Sequence, residues 1–387
     1  MNIITGMETA ELDLNRQKKA KEYSRISRRL MLVDLALTGI YALVWLLLGW
    51  SAGLRGWLEG FTNSPWLLVA LFALIFGGIY SLIDLPLSYY SGFVLPHRFG
   101  QSNQTLKGWI SDQVKSLLVN GVIGLLLLEV VYAVLRAFPD TWWVWAAALM
   151  LLFSVVFSTL APVLLMPIFY KFVPLGEEHA DLVARLKRLF EQAGTQVKGV
   201  YRFDMSRRTK SANAALTGLG STRRIILGDT LLDEFTADEI ETVLAHELGH
   251  HVNRDIPLLI LSQTLTTVLG LFFAHLALRW GVGQFGFQGV GDIAALPLFM
   301  LVMGVFGLVT MPLGNALSRW RERMADQYAL DATQNPRAFA SAMTRLANQN
   351  LAEVDPEPWV EFLLYSHPAL EKRIMMANRY AEKARAA

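Results

Sequence analysis

The chain has 387 residues, of which 53% are hydrophobic and 18% are charged, and its mean hydropathy is +0.35. Soluble domains carry about 25% charged residues, so this composition excludes a disordered, fibrous or nucleic-acid-binding protein. The formal net charge of +2 is too small to draw the whole molecule to a polyanion. Because the chain has no cysteine, disulfides, thiolate ligands and a catalytic thiol are excluded, and any metal must be held by His, Asp or Glu.

Six apolar runs have about the 20 residues that a helix needs to cross a bilayer. The first run follows 29 residues of mixed charge and is longer than the core of a signal peptide, so we interpret it as a retained anchor. A buried core helix is the alternative for any single run. The predicted spans are residues 30–50, 66–90, 116–137, 142–165, 256–278 and 295–317.

Lys and Arg are distributed unequally between the two ends of these spans. They are frequent in the N-terminal segment, in residues 166–255 and after residue 318, whereas the three short loops on the other side contain only Arg55, Arg136 and Arg279. Short positively charged loops stay in the cytoplasm. We therefore expect both termini and the long hydrophilic segment to face the cytosol.

The segment between the fourth and fifth spans has the pattern of a soluble domain. Helical periodicity over residues 181–193 predicts a helix, and β-branched and aromatic residues at 200–203 and 224–227 predict two strands. Thr236 and Glu239 form a capping box, so another helix begins at this point.

A motif with metal-binding spacing, His246-Glu247-Leu248-Gly249-His250, lies on that helix. Residues four apart leave the same face of a helix, so His246 and His250 can bind one Zn²⁺. Glu247 is rotated by about 100° from His246 and can accept a proton from a water molecule that the metal activates. The alternative is a helix with two solvated histidines. His251 points away from the pair and is not an expected ligand.

A catalytic zinc usually has three protein ligands and one open position. The extended motif with a third histidine is excluded, because Asn253 and Ile256 occupy its glycine and histidine positions. The helix after the last two spans returns to the side of His246, and it carries Glu322 and Asp326 one turn apart. Glu322 could bind the metal while Asp326 orients a ligand histidine, or Glu322 could pair with a neighbouring arginine.

Taken together, these motifs resemble peptidase family M48, and more closely its Ste24 type, the CAAX prenyl protease 1 group. The HELGH sequence and residues 315–329 match the family's HExxH motif and its N-x-x-S-R-x-x-E-x-x-x-D helix. The likeness covers residues 80 to 375. Three further parts of the chain agree with the family's patterns, namely residues 84–90 with 98–105, residues 211–214 with 224–232, and residues 366–368 with Arg373.

The resemblance implies a zinc peptidase with one Zn²⁺ per chain. It implies that His246, His250 and Glu322 bind the metal. It further implies that Glu247 is the general base and that Asp326 is the partner of a ligand histidine.

The resemblance also places four more residues at the active site. His367 would stabilise the oxyanion of the tetrahedral intermediate, with Arg373 close by. The alternative for His367 is an N-cap before Pro368, which is a preferred residue at the first helical position. Asn213 and Ala214 would lie on an edge strand with which the substrate backbone pairs.

Some positions depart from the family's patterns. Ala212 precedes Asn213, Lys210 stands where the family has a histidine close upstream, and His97 replaces an acidic residue. These departures bear on substrate preference more than on chemistry. The chain also lacks an extra span and the longer lumenal insertions of eukaryotic members, which indicates a bacterial relative in the inner membrane rather than an endoplasmic reticulum protein.

The predicted fold is mainly α-helical, a polytopic membrane protein with about six transmembrane helices and a zincin-like metalloprotease domain that carries a small β-sheet at the cytosolic face. The chain divides into an N-terminal cytosolic segment, four transmembrane helices, a catalytic segment with the HExxH helix, a transmembrane hairpin, and a C-terminal cytosolic segment with the third ligand. These parts are residues 1–29, 30–165, 166–255, 256–317 and 318–387.

The predicted function is a membrane-embedded zinc endopeptidase that cuts a peptide or protein substrate, with or without a prenyl group at its C-terminus, beside the lipid bilayer. One alternative is quality-control proteolysis of membrane proteins without a prenyl requirement. The other alternative is a non-catalytic scaffold with structural zinc, which Glu247 and an open fourth coordination position disfavour.

Overall fold

The computed structural model describes residues 10–218 and 223–386. The first nine residues of the predicted N-terminal segment lie outside this part. The helices are α1 (Leu14–Leu47), α2 (Trp50–Glu59), α3 (Pro65–Tyr89), α4 (Leu95–Arg98), α5 (Leu106–Ala137), α6 (Trp142–Leu164), α7 (Met166–Phe169), α8 (Ala180–Gln192), α9 (Asp229–Glu234), α10 (Ala237–Val252), α11 (Asp255–Phe285), α12 (Leu296–Thr333), α13 (Pro336–Gln349), α14 (Pro358–Leu364) and α15 (Leu370–Ala386). The strands are β1 (Phe172–Pro174), β2 (Val200–Phe203), β3 (Ala214–Thr217) and β4 (Arg224–Gly228).

Five helical stretches within the described residues are long and apolar enough to cross a membrane. A sixth forms if Trp142–Ser158 and Leu160–Phe169, which are bent by 43° at their junction, make one span. With that pair counted, the structure agrees with the six predicted spans. The five are Leu14–Leu47, Pro65–Arg98, Leu106–Ala137, Asp255–Phe285 and Ile293–Thr333.

The loop between the first two spans contains a helix that hydropathy did not predict. Helix α2 is amphipathic, and Trp50 and Trp57 on it are exposed. Its Arg55 forms an ion pair with buried Asp292, which lies in the loop before α12. Tryptophans of this kind favour the membrane–water interface, so α2 covers this end of the helix bundle.

The catalytic segment contains a mixed four-stranded sheet in the order β1-β2-β4-β3. β2 and β4 are parallel, whereas the two outer strands pair antiparallel to their neighbours. One face of the sheet packs with α8, α10, α13 and α15 around a buried apolar core that includes Leu186, Ile225, Leu244 and Phe339. The predicted strands at β2 and β4 and the predicted helix at α8 are confirmed.

Helix α10 begins at the predicted capping box. The Thr236 amide donates to Glu239 Oε2 at 2.8 Å, and the Glu239 amide donates to Thr236 Oγ1 at 3.3 Å. Further along α10, a Cβ atom placed on Gly249 would lie 3.0 Å from Ala325 Cα and 3.1 Å from the Ala325 carbonyl oxygen. Both neighbours are backbone atoms of α12, so the absence of a side chain at residue 249 allows the close contact of the two helices.

Gly249→Ala should therefore destabilise the protein, because the added methyl group must push two packed helices apart. We expect a loss of about 1–3 kcal/mol, seen as a lower thermal unfolding midpoint of the detergent-purified protein. Gly283→Ala on α11 is the matched control, since a Cβ atom there meets nothing within 4 Å. Equal midpoints for the two variants would contradict the packing argument.

Candidate active site

The three predicted metal ligands meet where α10 faces α12. The Nε2 atoms of His246 and His250 are 3.2 Å apart. Glu322 Oε2 lies 3.3 Å from His246 Nε2, and Glu322 Oε1 lies 3.4 Å from His250 Nε2. In a tetrahedral zinc site with bonds of about 2.0–2.1 Å, neighbouring ligand atoms are about 3.3 Å apart. The separations of these three side chains therefore match those of zinc ligands.

The donor atoms of this cluster are poorly satisfied by the protein alone. Glu322 Oε2 is buried and has no hydrogen-bond partner among the described residues. The two histidine Nε2 atoms face each other, and a neutral pair can share only one proton between them. A divalent cation between the three side chains would satisfy all of these atoms, so the residues present fit a metal.

His246 is oriented by a buried carboxylate that an arginine holds. His246 Nδ1 lies 2.8 Å from Asp326 Oδ1, and Asp326 accepts two hydrogen bonds from Arg373, at 2.6 and 2.9 Å. Burial lowers the pKa of His246, but the nearby carboxylates of Asp326 and Glu322 outweigh burial and raise the pKa to about 9. Metal binding at His246 must therefore displace a proton.

His250 has the same kind of support on its other side. His250 Nδ1 lies 2.7 Å from Asp255 Oδ2, and Arg321 Nε donates to Asp255 Oδ1 at 2.5 Å. Arg321 Nη2 also donates to the Asn253 carbonyl oxygen at 2.6 Å. Histidines that bind metals usually donate their second N–H to a carboxylate, which fixes the tautomer and the ring orientation.

Asp255 and Arg321 are functional candidates that the sequence analysis missed, because residue 255 was treated as the last residue before a membrane span. The signal that could have found Asp255 is an acidic residue close behind a ligand histidine. Arg254 has a φ of +54°, and this left-handed residue separates α10 from α11 and leaves Asp255 in the first turn of α11.

Glu247 and His367 lie next to the ligand cluster. Burial raises the pKa of Glu247 above the ordinary value of a glutamate. His367 Nε2 lies 3.3 Å from Glu322 Oε1, and His367 Nδ1 lies 2.9 Å from Ser366 Oγ. Desolvation of its partly buried side beside the metal cluster lowers the pKa of His367, which favours its neutral form at neutral pH. His367 thus contacts the ligand cluster directly, and Glu247 interacts electrostatically with His246, His250 and Glu322.

The predicted substrate residues lie at the edge of the sheet. Ala214 is the first residue of the outer strand β3, which packs beside α10, and Asn213 directly precedes it with an exposed side chain. The structure thus brings the predicted metal and catalytic side chains together in one cluster and leaves Asn213 and Ala214 at the neighbouring strand edge.

Two histidines and a glutamate that could hold a metal ion, with a second glutamate adjacent, form the arrangement expected of a zinc peptidase, here built into a membrane protein. Residues 8–171 match the N-terminal region of CAAX prenyl proteases, described as five membrane helices, and residues 177–381 match peptidase family M48. The chain belongs to peptidase family M48 and is a zinc-dependent, multi-pass membrane metalloprotease.

Individual relatives agree with this assignment. The chain is 30% identical over 364 residues to the uncharacterized metalloprotease YhfN of Bacillus subtilis, which covers 93% of this chain and 85% of that protein. It is 32% identical over 323 residues to CAAX prenyl protease 1 of Saccharomyces cerevisiae, covering 78% and 70% of the two chains. The crystal structure of S. mikatae Ste24p is similar with a TM-score of 0.84 at 26% identity, covering 96% of this chain and 92% of that one.

The ligand and its supporting carboxylate should differ in their effects on metal content. Glu322→Ala removes a ligand atom and should abolish stoichiometric zinc. Asp255→Asn keeps the ligands but removes an anionic acceptor, so we expect zinc affinity to fall by about 10- to 100-fold. Zinc content measured by mass spectrometry after dialysis against graded chelator separates the two. Asp331→Asn, an exposed position on α12, is the control, and stoichiometric zinc in Glu322→Ala would require a different third ligand.

Proposed function

We propose that one Zn²⁺ per chain is held by His246, His250 and Glu322, and that this centre hydrolyses peptide bonds. The single observation that carries the proposal is the convergence of the three side chains, whose histidine Nε2 atoms lie 3.2 Å apart and each within 3.4 Å of one Glu322 oxygen. Two histidines and one glutamate leave the fourth tetrahedral position for water or substrate, as in catalytic zinc sites.

Glu247 is proposed as the general base. Zinc, when bound, acts as a Lewis acid that lowers the pKa of water to about 7. The Glu247 carboxylate would accept the proton that this water loses and would pass it to the leaving amine. Burial, which raises the pKa of Glu247, brings its basicity closer to that needed near neutral pH.

His367 is proposed to donate a hydrogen bond to the oxyanion that forms when water attacks the scissile carbonyl group. Its Nε2 is 3.3 Å from Glu322 Oε1 and is therefore close to the reacting position. Asp326 and Arg373 are proposed to act through His246, because the Arg373 guanidinium holds the carboxylate that orients this ligand. Under this proposal, each of these buried charged residues has a different role.

The substrate is proposed to pair with the free edge of β3. The Gly228 amide donates to the Asn213 carbonyl oxygen at 2.9 Å, so Asn213 has its backbone directed towards β4. Alternation along an antiparallel strand then directs the amides and carbonyl groups of Ala214 and Leu216 to the free edge. Ala214 would thus contact the substrate through its backbone, and Asn213 through its exposed side chain.

The proposed substrate is a peptide with a prenylated cysteine near its C-terminus. This proposal rests on the similarity to CAAX prenyl protease 1 of S. cerevisiae and on a fold shared with Ste24p through the membrane region as well as the catalytic domain. Proteolysis of unmodified membrane proteins is the second candidate, because an edge strand forms hydrogen bonds with the substrate backbone and does not require a lipid on the substrate.

A paired-peptide assay distinguishes these substrates. We expect the detergent-purified enzyme to cut a farnesylated peptide with a CAAX sequence at least tenfold faster than the same peptide without the lipid. Glu247→Gln should retain zinc and lose several orders of magnitude in turnover, because the amide cannot accept a proton.

Three results would change the proposal. Equal rates on both peptides would favour quality-control proteolysis. Activity retained by Glu247→Gln would remove the general-base assignment. A zinc-loaded wild-type enzyme that cuts neither peptide would contradict the proposed substrate class.

We further propose that the active site faces the cytosol of a bacterial cell, with the chain in the inner membrane. The unequal distribution of Lys and Arg supports this orientation. The division at residues 29, 165, 255 and 317 remains a proposal for how the chain is organised, since α1, α11 and α12 each continue as one helix across such a boundary.

Cysteine labelling tests the orientation directly, because the chain has no cysteine of its own. Asn63→Cys lies in the loop before α3, and Asn378→Cys lies on the exposed face of α15. In intact cells, a membrane-impermeant maleimide should label the first variant, whereas the second should react only after lysis. The reverse pattern would place the zinc site outside the cytosol.

A further inference from the structure

Helix α14 ends at the loop that carries His367, and side chains of α12 bind the carbonyl oxygens at that end. We propose that Asn315 and Arg319 are positioning residues that hold the backbone of this loop and so place the His367 imidazole beside the metal ligands. The inference rests on the proposed catalytic role of His367.

The hydrogen bonds converge on a small region of backbone. Arg319 Nη1 donates to the carbonyl oxygens of Glu361 at 2.9 Å, Phe362 at 3.3 Å and Tyr365 at 2.6 Å. Asn315 Nδ2 donates to the Leu363 carbonyl oxygen at 2.6 Å. A helix of seven residues has little stability of its own, and of its last four carbonyl groups only that of Glu361 accepts a hydrogen bond from the capping Tyr365 amide, at 3.2 Å. The two α12 side chains therefore fix where α14 ends.

Arg319 has an unusual environment for an arginine. It is 8% exposed, and among the described residues no ion pair joins it to a carboxylate. Its partners are instead carbonyl oxygens at the negative end of the α14 dipole. Burying a guanidinium group is costly, so breaking this set of hydrogen bonds would leave the charge uncompensated and the loop free to move.

A second side chain holds the other end of the loop. Glu361 Oε1 accepts a hydrogen bond from the Ala369 amide at 3.1 Å, and Lys372 forms an ion pair with the same carboxylate. The backbone is thus held at residue 365 by Arg319 and at residue 369 by Glu361. His367 lies midway, and its own side chain is 59% exposed, with Nε2 near Glu322 and Nδ1 near Ser366. The backbone on either side therefore determines where the imidazole meets the metal ligands.

The positioning residues and the ligand share one face of α12. Asn315, Arg319, Glu322 and Asp326 follow at intervals of four, three and four residues, which places them in a single stripe along a helix. The same rigid element therefore fixes the His367 loop, supplies the third metal ligand and orients His246. A shift of α12 would carry all of these groups together.

Arg319→Met tests the proposal, because it keeps the aliphatic stem and removes the donors. We expect kcat on a peptide substrate to fall by about 10- to 100-fold, with KM little changed and zinc stoichiometric, since the imidazole is displaced while the ligands remain. Hydrogen exchange should become faster at residues 365–369 and stay unchanged in α10. Arg323→Met, at an exposed arginine on the same helix, should behave as wild type.

A double-mutant cycle separates positioning from a general structural role. In a His367→Ala background, Arg319→Met should cause no further loss of kcat, because the group that it positions is absent. An equal loss in both backgrounds, or full activity of Arg319→Met, would overturn the proposal.

If Arg319→Met does not fold, Asn315→Ala, which removes one hydrogen bond, enters the same cycle with an expected loss of about fivefold. If His367→Ala keeps wild-type activity, the positioning role is wrong, while the peptidase function tested by Glu247→Gln stands.

Discussion

The close contact between α10 and α12 is the constraint on which the rest of the site depends. Two of the proposed ligands come from one helix and the third from the other, and the ligand atoms must approach to within about 3.3 Å of one another for one zinc to bind all three. Gly249 permits this because its neighbours are backbone atoms of Ala325. The membrane hairpin of α11 and α12 brings the second helix back to the first, so the membrane part of the fold is also part of the metal site.

The buried charges around this contact form two matching pairs. Arg373 holds Asp326 behind His246, and Arg321 holds Asp255 behind His250. An unpaired carboxylate at either position would be strongly destabilising, whereas a paired one can fix an imidazole ring. The symmetry of the two arrangements means that neither ligand histidine depends on solvent for its orientation.

Much of the metal site could be predicted from the sequence because its determinants are local. The spacing of His246 and His250, and the capping box that starts their helix, depend only on helical geometry. The hydrophobic runs likewise predicted the membrane helices, although charged residues in the helical extensions concealed how far α1 and α12 continue beyond their apolar runs. The short helix α2 was not predicted, because its apolar run is too short for a membrane span and its apolar residues are those of an amphipathic helix at an interface.

The contacts that support the site were not predictable by the same means. Asp255 reaches His250 only because the chain turns at Arg254 with a left-handed backbone, and Arg319 meets α14 across a tertiary contact. For Glu322, the proposed third ligand, the local sequence pattern could not exclude the alternative that it pairs with a neighbouring arginine on a charged helix. The roles of such residues depend on their tertiary contacts. A single sequence gives information about these contacts only where it resembles a known family.

The continuity of α12 has a consequence for the height of the reaction above the lipid. Helices rise by 1.5 Å per residue, so Glu322 lies about 8 Å beyond the apolar run that ends at residue 317. With no break between the two, the thickness of the hydrocarbon layer sets the level of the zinc ligands. If the substrate is lipid-anchored, as proposed, its attachment to the bilayer must hold the peptide bond at that level, so the distance between the anchor and the scissile bond becomes a criterion for cleavage in addition to side-chain identity.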